Sequence, residues 1–211
     1  PEGMATDVPA AMVGYDHVVS ADPSFKKYWL LHSIEEPQTG KQKFSVSRTK
    51  DGDTGKLYCD VLLPQADVTK VGGPGKDCWV FGENYPNAAT TRPDPCNERG
   101  AWRVEVTPAA DSKEDCFLNV MQVMDNAISP LPVQKIEGDK VVGALVADRV
   151  VLFSKDSRNL DGSFTFEIPK SAAKKVRVLI TDLSEGEWKI ACGKKVFLTS
   201  EVDYAIIIAD K

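Results

Sequence analysis

The sequence predicts an all-β chain: a large antiparallel sandwich of two stacked sheets built from roughly fifteen short strands. Three observations carry this. Period-two alternation recurs in strand-length runs, most cleanly over 100–108, where Trp102, Val104 and Val106 share one face and Arg103, Glu105 and Thr107 the other. Turn signals return about every ten residues. The segment 114–124 is apolar on both faces, with Leu118, Val120 and Met124 on one and Phe117, Met121 and Val123 on the other. A strand of that kind is covered on both sides, so Val71–Met124 is expected to form the middle of the structure. No fixed-period repeat occurs, which argues against a propeller or solenoid.

The elements follow in order. Residues 1–12 read as a flexible entry and 13–211 as the sandwich. A strand is expected over 13–20, closed by the turn Ala21-Asp22-Pro23. A second is expected over 25–35, with Tyr28, Leu30, His32 and Ile34 on one face and Trp29, Leu31 and Ser33 on the other; Pro23, Pro37 and the aromatic residues favour strand over helix. Residues 38–43 read as a turn, 43–49 as a strand, Lys50–Gly55 as a hairpin turn with an Asp-Gly signal, and 56–63 as a strand ended by Pro64. Gly72, Gly73 and Gly75 around Pro74 form a turn cluster. Ser129-Pro130-Leu131-Pro132 breaks the chain and marks the one internal sub-boundary, after which a second small sandwich is a possible arrangement. Beyond it, strands are expected over 133–137, 140–147, 150–154, 163–168, 175–182, 187–192, 195–199 and 202–209. In 163–168, Phe164, Phe166 and Ile168 point inward.

Composition narrows the functional classes. The 211 residues carry a net charge of −5 and no basic block, which argues against a nucleic-acid partner. No run of 18 apolar residues exists, so no membrane helix is expected, and the first residues lack the charged and apolar regions of a signal peptide. The five cysteines, Cys59, Cys78, Cys96, Cys116 and Cys192, include no C-x-x-C pair. A zinc knuckle is therefore not expected. Buried free thiols are the favoured reading, with a disulfide as the alternative.

The search for chemistry yields little. The two histidines, His17 and His32, are not at metal spacing, and neither a metal nor a cofactor is expected. His32, beside Leu30 and Leu31, reads first as a hydrogen-bonded core residue and second as a site-lining group. No G-x-S-x-G, phosphate loop or G-x-G-x-x-G is present. Asp51-Gly52-Asp53-Thr54 resembles part of a calcium loop but lacks the distal Glu, and reads as a solvated hairpin turn. The most site-like surface is the polar loop 83–99. There Tyr85 is suited to stacking on a sugar ring, and Arg92 and Arg99 to meeting a carboxylate or sulfate. The structural alternative is a proline-stiffened connection with Tyr85 packed down.

Four blocks together resemble the carboxyl-terminal β region of heparinase II/III-type polysaccharide lyases: Y-D-H-V-V-S-A-D-P-S-F-K-K-Y-W-L-L-H-S-I-E-E-P (15–37), V-G-G-P-G-K-D-C-W-V-F-G-E-N-Y-P (71–86), G-A-W-R-V-E-V-T-P (100–108) and L-V-A-D-R-V-V-L-F-S (145–154). The resemblance spans about residues 13–208. It implies an amino-terminal α/α toroid in a parent chain, antiparallel sandwich domains, β-elimination on uronic-acid polysaccharides such as glycosaminoglycans, and a secreted or periplasmic setting. In that family the toroid carries most of the machinery, and the start of the sandwich region adds a histidine and, in some members, zinc. This chain has no helical repeat and lacks the H-x-H and R-x-T-x-x-H-N segments expected before its first strand, so no catalytic or metal residue carries over.

Two functions of different class follow. One is the sandwich portion of such a lyase, supporting an absent toroid and contacting an acidic polysaccharide through Tyr85, Arg92, Arg99 and His32. The other is an autonomous carbohydrate-binding module, with a purely structural surface domain as a third reading. Exposed coplanar aromatics would discriminate, and the strand positions of Trp29, Trp79, Trp102 and Trp188 predict that all four are buried.

Overall fold

The computed structural model describes residues 7–85, 100–170, 175–192, 195–199 and 205–210. It is all β, as the alternation predicts, and the described residues contain seventeen strands and no helix. None of the described residues forms a helix long and apolar enough to cross a membrane.

The first sheet has the order β1-β10-β5-β4-β3: β1 is Ala10–Val19, β3 Gln38–Gly40, β4 Lys43–Lys50, β5 Asp53–Leu63 and β10 Glu114–Asp125. A three-stranded sheet, β2-β9-β6, lies on one of its faces, with β2 Trp29–Ser33, β6 Ala66–Gly72 and β9 Trp102–Pro108. Phe44, Cys59, Val61, Phe117 and Met121 from the first sheet pack there against Val104 and Val106, with Trp29, Leu31 and Val68 at the margin. Apolar side chains interdigitating between the two inner faces bind the layers.

The opposite face of the first sheet meets a second five-stranded sheet. Its order is β11-β12-β13-β14-β17, from β11 Val133–Glu137, β12 Val141–Val146, β13 Arg149–Ser154, β14 Lys175–Ile180 and β17 Ala205–Asp210. Val120 packs on Ala144 and Val146, and Tyr15 stacks on Phe153 with ring centroids 5.4 Å apart. β10 is therefore buried on both faces, and Leu118 and Val120 are wholly inaccessible. The far face of the second sheet holds a separate cluster, Ile136, Leu145, Leu152, Val178 and Ile180 among others, with Phe164, Phe166, Ile168, Trp188 and Ile190 over it. A hairpin of β15 (Trp188–Cys192) and β16 (Lys195–Thr199) accompanies that cluster. The layers thus number more than the two the pattern suggests.

Two glutamines, Gln122 buried and Gln42 half-buried, tie the irregular connections to this frame. Gln122 accepts from Leu131 N at 2.8 Å and donates to Leu131 O at 3.0 Å, fixing the proline-rich break 129–132 to β10. Gln42 donates to Val61 O and Pro64 O and accepts from Ala66 N. Both satisfy backbone groups that leave the ladder, which buried polar groups require.

Several local expectations need correction. β1 begins at Ala10 rather than residue 13, and Val8 is buried. Both lie inside the stretch read as a flexible entry; the strand runs longer because β10 offers partners as far as Val123. The strand expected over 25–35 shrinks to Trp29–Ser33, the extent to which β9 supplies partners. Within the supposed turn 38–43, Gln38–Gly40 pairs with β4 as a short edge strand. Residues 163–168 form no strand. Their backbone is tied to a turn, Asp139 N donating to Thr165 O and Thr165 N to the Asp139 carboxylate, although Phe164, Phe166 and Ile168 point inward as read. β13 and β14 run parallel, which the long connection between them permits. The Asp-Gly hairpin is as predicted, but the turn is tighter than Lys50–Gly55: Asp51 and Gly52 both have positive φ, Lys50 pairs with Asp53, and Asp53–Gly55 already belongs to β5.

Cys59, Cys78 and Cys116 are free thiols. Cys96 lies outside the described residues. Burial pushes the Cys59 thiol up to about 12, with the Asp60 carboxylate adding to the shift. A raised folded-state value stabilises the native state below the unfolded thiol's value, near 9, and that contribution is lost as pH rises towards 12.

Two outcomes follow from this packing. Phe117→Ala should cost about 3–5 kcal/mol in denaturant unfolding, against less than about 1 kcal/mol for the half-exposed Val123→Ala. In a thiol-reagent titration at pH 8, Cys59 should resist modification until the chain unfolds, and Cys59→Ala should flatten the fall in stability above pH 9; rapid native-state labelling of Cys59 would contradict the burial.

Candidate functional site

The candidate site is the outer face of the sheet β2-β9-β6 and the small hairpin fixed above it. On β9 the alternation sends Val104 and Val106 into the core and Arg103 and Glu105 outward. Antiparallel register sets His32 opposite Arg103 and Leu30 opposite Glu105 on one side, and Val71 and Thr69 opposite them on the other. His32 and Leu30 are exposed. The reading of His32 as a core residue is therefore corrected: Trp29 and Leu31 take the inward face of β2, and period-two geometry leaves His32 outside.

The turn cluster after β6 aims the hairpin. Gly72 has φ +145°, and a Cβ there would come within 2.2 Å of Ala101 O, so only glycine fits where this strand passes β9. Lys76 N then donates to Gly73 O and Trp79 N to Lys76 O. The hairpin itself is β7 (Trp79–Val80) and β8 (Glu83–Asn84), closed by Phe81 and Gly82, both at positive φ. Asn84 accepts from Cys78 N at 2.9 Å, and Tyr85 N donates to Cys78 O at 3.0 Å.

Arg103 is the anchor. Its Nη1 donates to Trp79 O at 2.5 Å and its Nε to Glu105 Oε1 at 2.7 Å. One guanidinium thus joins sheet face and hairpin, a use its planar fork suits. The hairpin presents Phe81, which is 100% exposed, and Tyr85, 58% exposed. The Tyr85 hydroxyl donates to Glu83 Oε2 at 2.8 Å. That bond, with a little desolvation, holds its phenol above the ordinary value. Lys76 Nζ lies 5.0 Å from the Trp79 ring centroid, a cation–π contact.

Of the predicted site residues, His32 stands across the strand from Arg103, and Tyr85 follows the hairpin whose Trp79 O that arginine holds. Arg92 and Arg99 lie outside the described residues. Sequence reasoning missed Phe81 and Arg103. Phe81 was discoverable as the residue before Gly82 in W-V-F-G-E-N, where the glycine marks a turn. Arg103 was seen as outward-facing, but its hold on Trp79 O depends on how the hairpin folds back. The expectation that all four tryptophans are buried also fails: Trp29, Trp79, Trp102 and Trp188 are each only partly buried. Trp29 and Trp188 pack on the two cores, and Lys70 lies 5.8 Å from the Trp102 ring centroid.

Every described tyrosine with a shifted phenol, namely Tyr15, Tyr58 and Tyr85, is shifted upward, the wrong direction for a tyrosinate base. Among the described residues no group of three His, Cys, Asp or Glu side chains could hold a metal. Elsewhere, a cavity of about 950 Å³ opens between β14 and β15, lined by Phe164, Phe166, Val178, Trp188 and Ile190. Lys170 and Lys189 at that cavity are offset by Glu185 and Glu187, so it offers no net positive field to a polyanion.

Residues 135–206, about a third of the chain, match the family of the heparinase II C-terminal domain. The match supports the resemblance to the C-terminal region of heparinase II/III-type lyases read from the sequence, over a segment that contains β12, β13, β14, β15 and β16 together with the end of β11. No curated protein matches the chain significantly.

Arg103→Met should release the hairpin at a cost of about 1–3 kcal/mol, because Trp79 O and Glu105 lose a charged donor together. Amide exchange over 79–85 should accelerate while that of β10 stays unchanged; unaltered exchange in the hairpin would remove Arg103 from its anchoring role.

Proposed function

We propose, with the heparinase II C-terminal match as premise, that this chain is the sandwich portion of a heparinase-like polysaccharide lyase and contacts an acidic polysaccharide on the outer face of β2-β9-β6. The observation that carries the contact is the exposure of Phe81 and Tyr85 on a hairpin clamped by Arg103. Aromatic rings suit the apolar faces of a sugar, and the partly buried Arg103 anchor holds them in place at low entropic cost. His32 and Lys76 border the same surface, and Arg92 and Arg99 are the cations proposed to meet carboxylate or sulfate groups. In this reading the catalytic base and acid belong to an α/α toroid of the parent chain, with the sandwich as its support. The setting is secreted or periplasmic, and the proline-rich break 129–132, just before the matched segment, separates two sandwich units.

A second reading, an autonomous carbohydrate-binding module, draws on the same exposed Phe81. The two differ in what the parent polypeptide does, not in which surface touches sugar.

One experiment tests the reading. The chain is incubated with a panel of acidic glycans containing uronic acid, with calorimetry for binding and ultraviolet absorbance for unsaturated product. Binding without product is expected. Tyr85→Ala and Phe81→Ala should each weaken binding by about 1 kcal/mol, roughly fivefold. Product formed by this chain alone would overturn the supporting role, and wild-type affinity in both variants would overturn the assigned surface.

A further inference from the structure

We propose that the cavity over β14 is a binding site for a small, uncharged, ring-bearing apolar molecule. It lies on the face of the second sheet turned away from β10, separate from the Phe81 hairpin, and it does not depend on the lyase reading.

The cavity measures about 950 Å³, at the upper end of the range for small-molecule sites. Its floor is Val176, Val178 and Ile180, the inward face of β14. One wall is formed by Phe164, Phe166 and Ile168 and the other by Trp188 and Ile190. All five wall side chains are half-buried. The Phe164 and Trp188 rings meet edge to face, with centroids 5.8 Å apart, an aromatic pair that a ring ligand extends.

The two walls are held by separate anchors. Thr165 N donates to Asp139 Oδ1 at 2.7 Å, and Asp139 N donates to Thr165 O at 3.3 Å. Gln134 Nε2 donates to Lys170 O at 3.1 Å. Gly138 permits this approach, since a Cβ there would come within 2.2 Å of Thr165 O. On the other side Trp188 Nε1 donates to Ser184 O at 2.9 Å, and Ser184 N donates to Leu160 O at 2.9 Å. These ties account for 163–168, which alternates like a strand yet pairs with no strand among the described residues. Its backbone is committed to the turn between β11 and β12, and the cavity beside β15 is thereby built into the fold rather than formed on demand.

The lining selects the ligand. The side chains of floor and walls present carbon, and the one polar side-chain atom among them, Trp188 Nε1, is already spent on Ser184 O. A hydroxyl or charge carried to the floor would leave water and find no side-chain partner, which is costly. The polar residues stand at the rim. There Lys170 and Lys189 offset Glu185 and Glu187, and Asp161 is paired with Lys140 at 3.5 Å. A rim of balanced charge around a carbon interior complements an uncharged apolar molecule rather than an ion.

A pair of fluorescent ligands tests this. N-phenyl-1-naphthylamine is uncharged, and 1-anilinonaphthalene-8-sulfonate has the same rings with a negative charge. The neutral compound should bind the chain with a dissociation constant on the order of 10 μM, and the sulfonate at least about tenfold more weakly. Methyl NMR locates it: the signals of Ile168, Val178 and Ile190 should shift while those of Val104 and Val106 stay in place. Ile190→Trp, which fills the cavity from a half-buried wall, should weaken binding at least about tenfold with the unfolding midpoint preserved. The wild-type NMR map decides the matter even if that variant fails to fold. No saturable binding, shifts confined to other methyls, or equal affinity for the sulfonate would overturn the proposal. So would displacement of the neutral compound by maltoheptaose, which would assign the cavity to a sugar.

Discussion

The structure depends on the burial of β10 on both faces. Phe117 and Met121 close one core with Val104 and Val106, and Val120 closes another with Ala144 and Val146. A strand shared between two cores fixes both neighbouring layers at once, because a register slip of one residue would exchange its two apolar sets and misfit each of them. Asn119 is the polar exception within it, wholly inaccessible and without a side-chain hydrogen-bond partner among the described residues. Gln122 shows the opposite solution, a buried amide whose bonds are satisfied by the backbone of the chain break.

The same constraint positions the candidate site. With β9 held against the first sheet through Val104 and Val106, alternation delivers Arg103 and Glu105 to the far side without further instruction. Arg103 then converts a solvent-facing strand into a mount for the hairpin. The glycine turn supplies the reversal, the guanidinium the attachment, and Phe81 and Tyr85 the exposed rings. Nothing in this arrangement lowers the pKa of a base or gathers metal ligands among the described residues.

Much of the fold was legible because one face of most strands is buried and alternation reports burial directly. Residues 133–137, 195–199 and the Asp51-Gly52 hairpin were readable almost to the residue. The double-sided character of 114–124 was readable too, since only a covered strand tolerates apolar residues at every position. What was not legible depended on partners. The stretch 163–168 has a strand's alternation, but its backbone is tied to Asp139 rather than to a neighbouring strand. Gln38–Gly40 becomes a strand only because β4 lies beside it. His32 was misassigned because Leu30 beside it looks like core, whereas both stand on the open face of a three-stranded sheet. The resemblance to heparinase II/III-type lyases was read from four sequence blocks, of which the family match covers the last. Of the candidate site, Tyr85 was chosen from residue type and loop length and His32 from residue type, while Phe81 and Arg103 required the folded hairpin.

Native-state hydrogen exchange in rising urea tests the central claim, that one strand is the common wall of two cores, most directly. The amides of 117–122 are predicted to open only in the global unfolding transition, together with those of β5 and β12, at a single free energy. Opening of 117–122 in a separate step at lower urea, while β12 and β13 retain their protection, would contradict it.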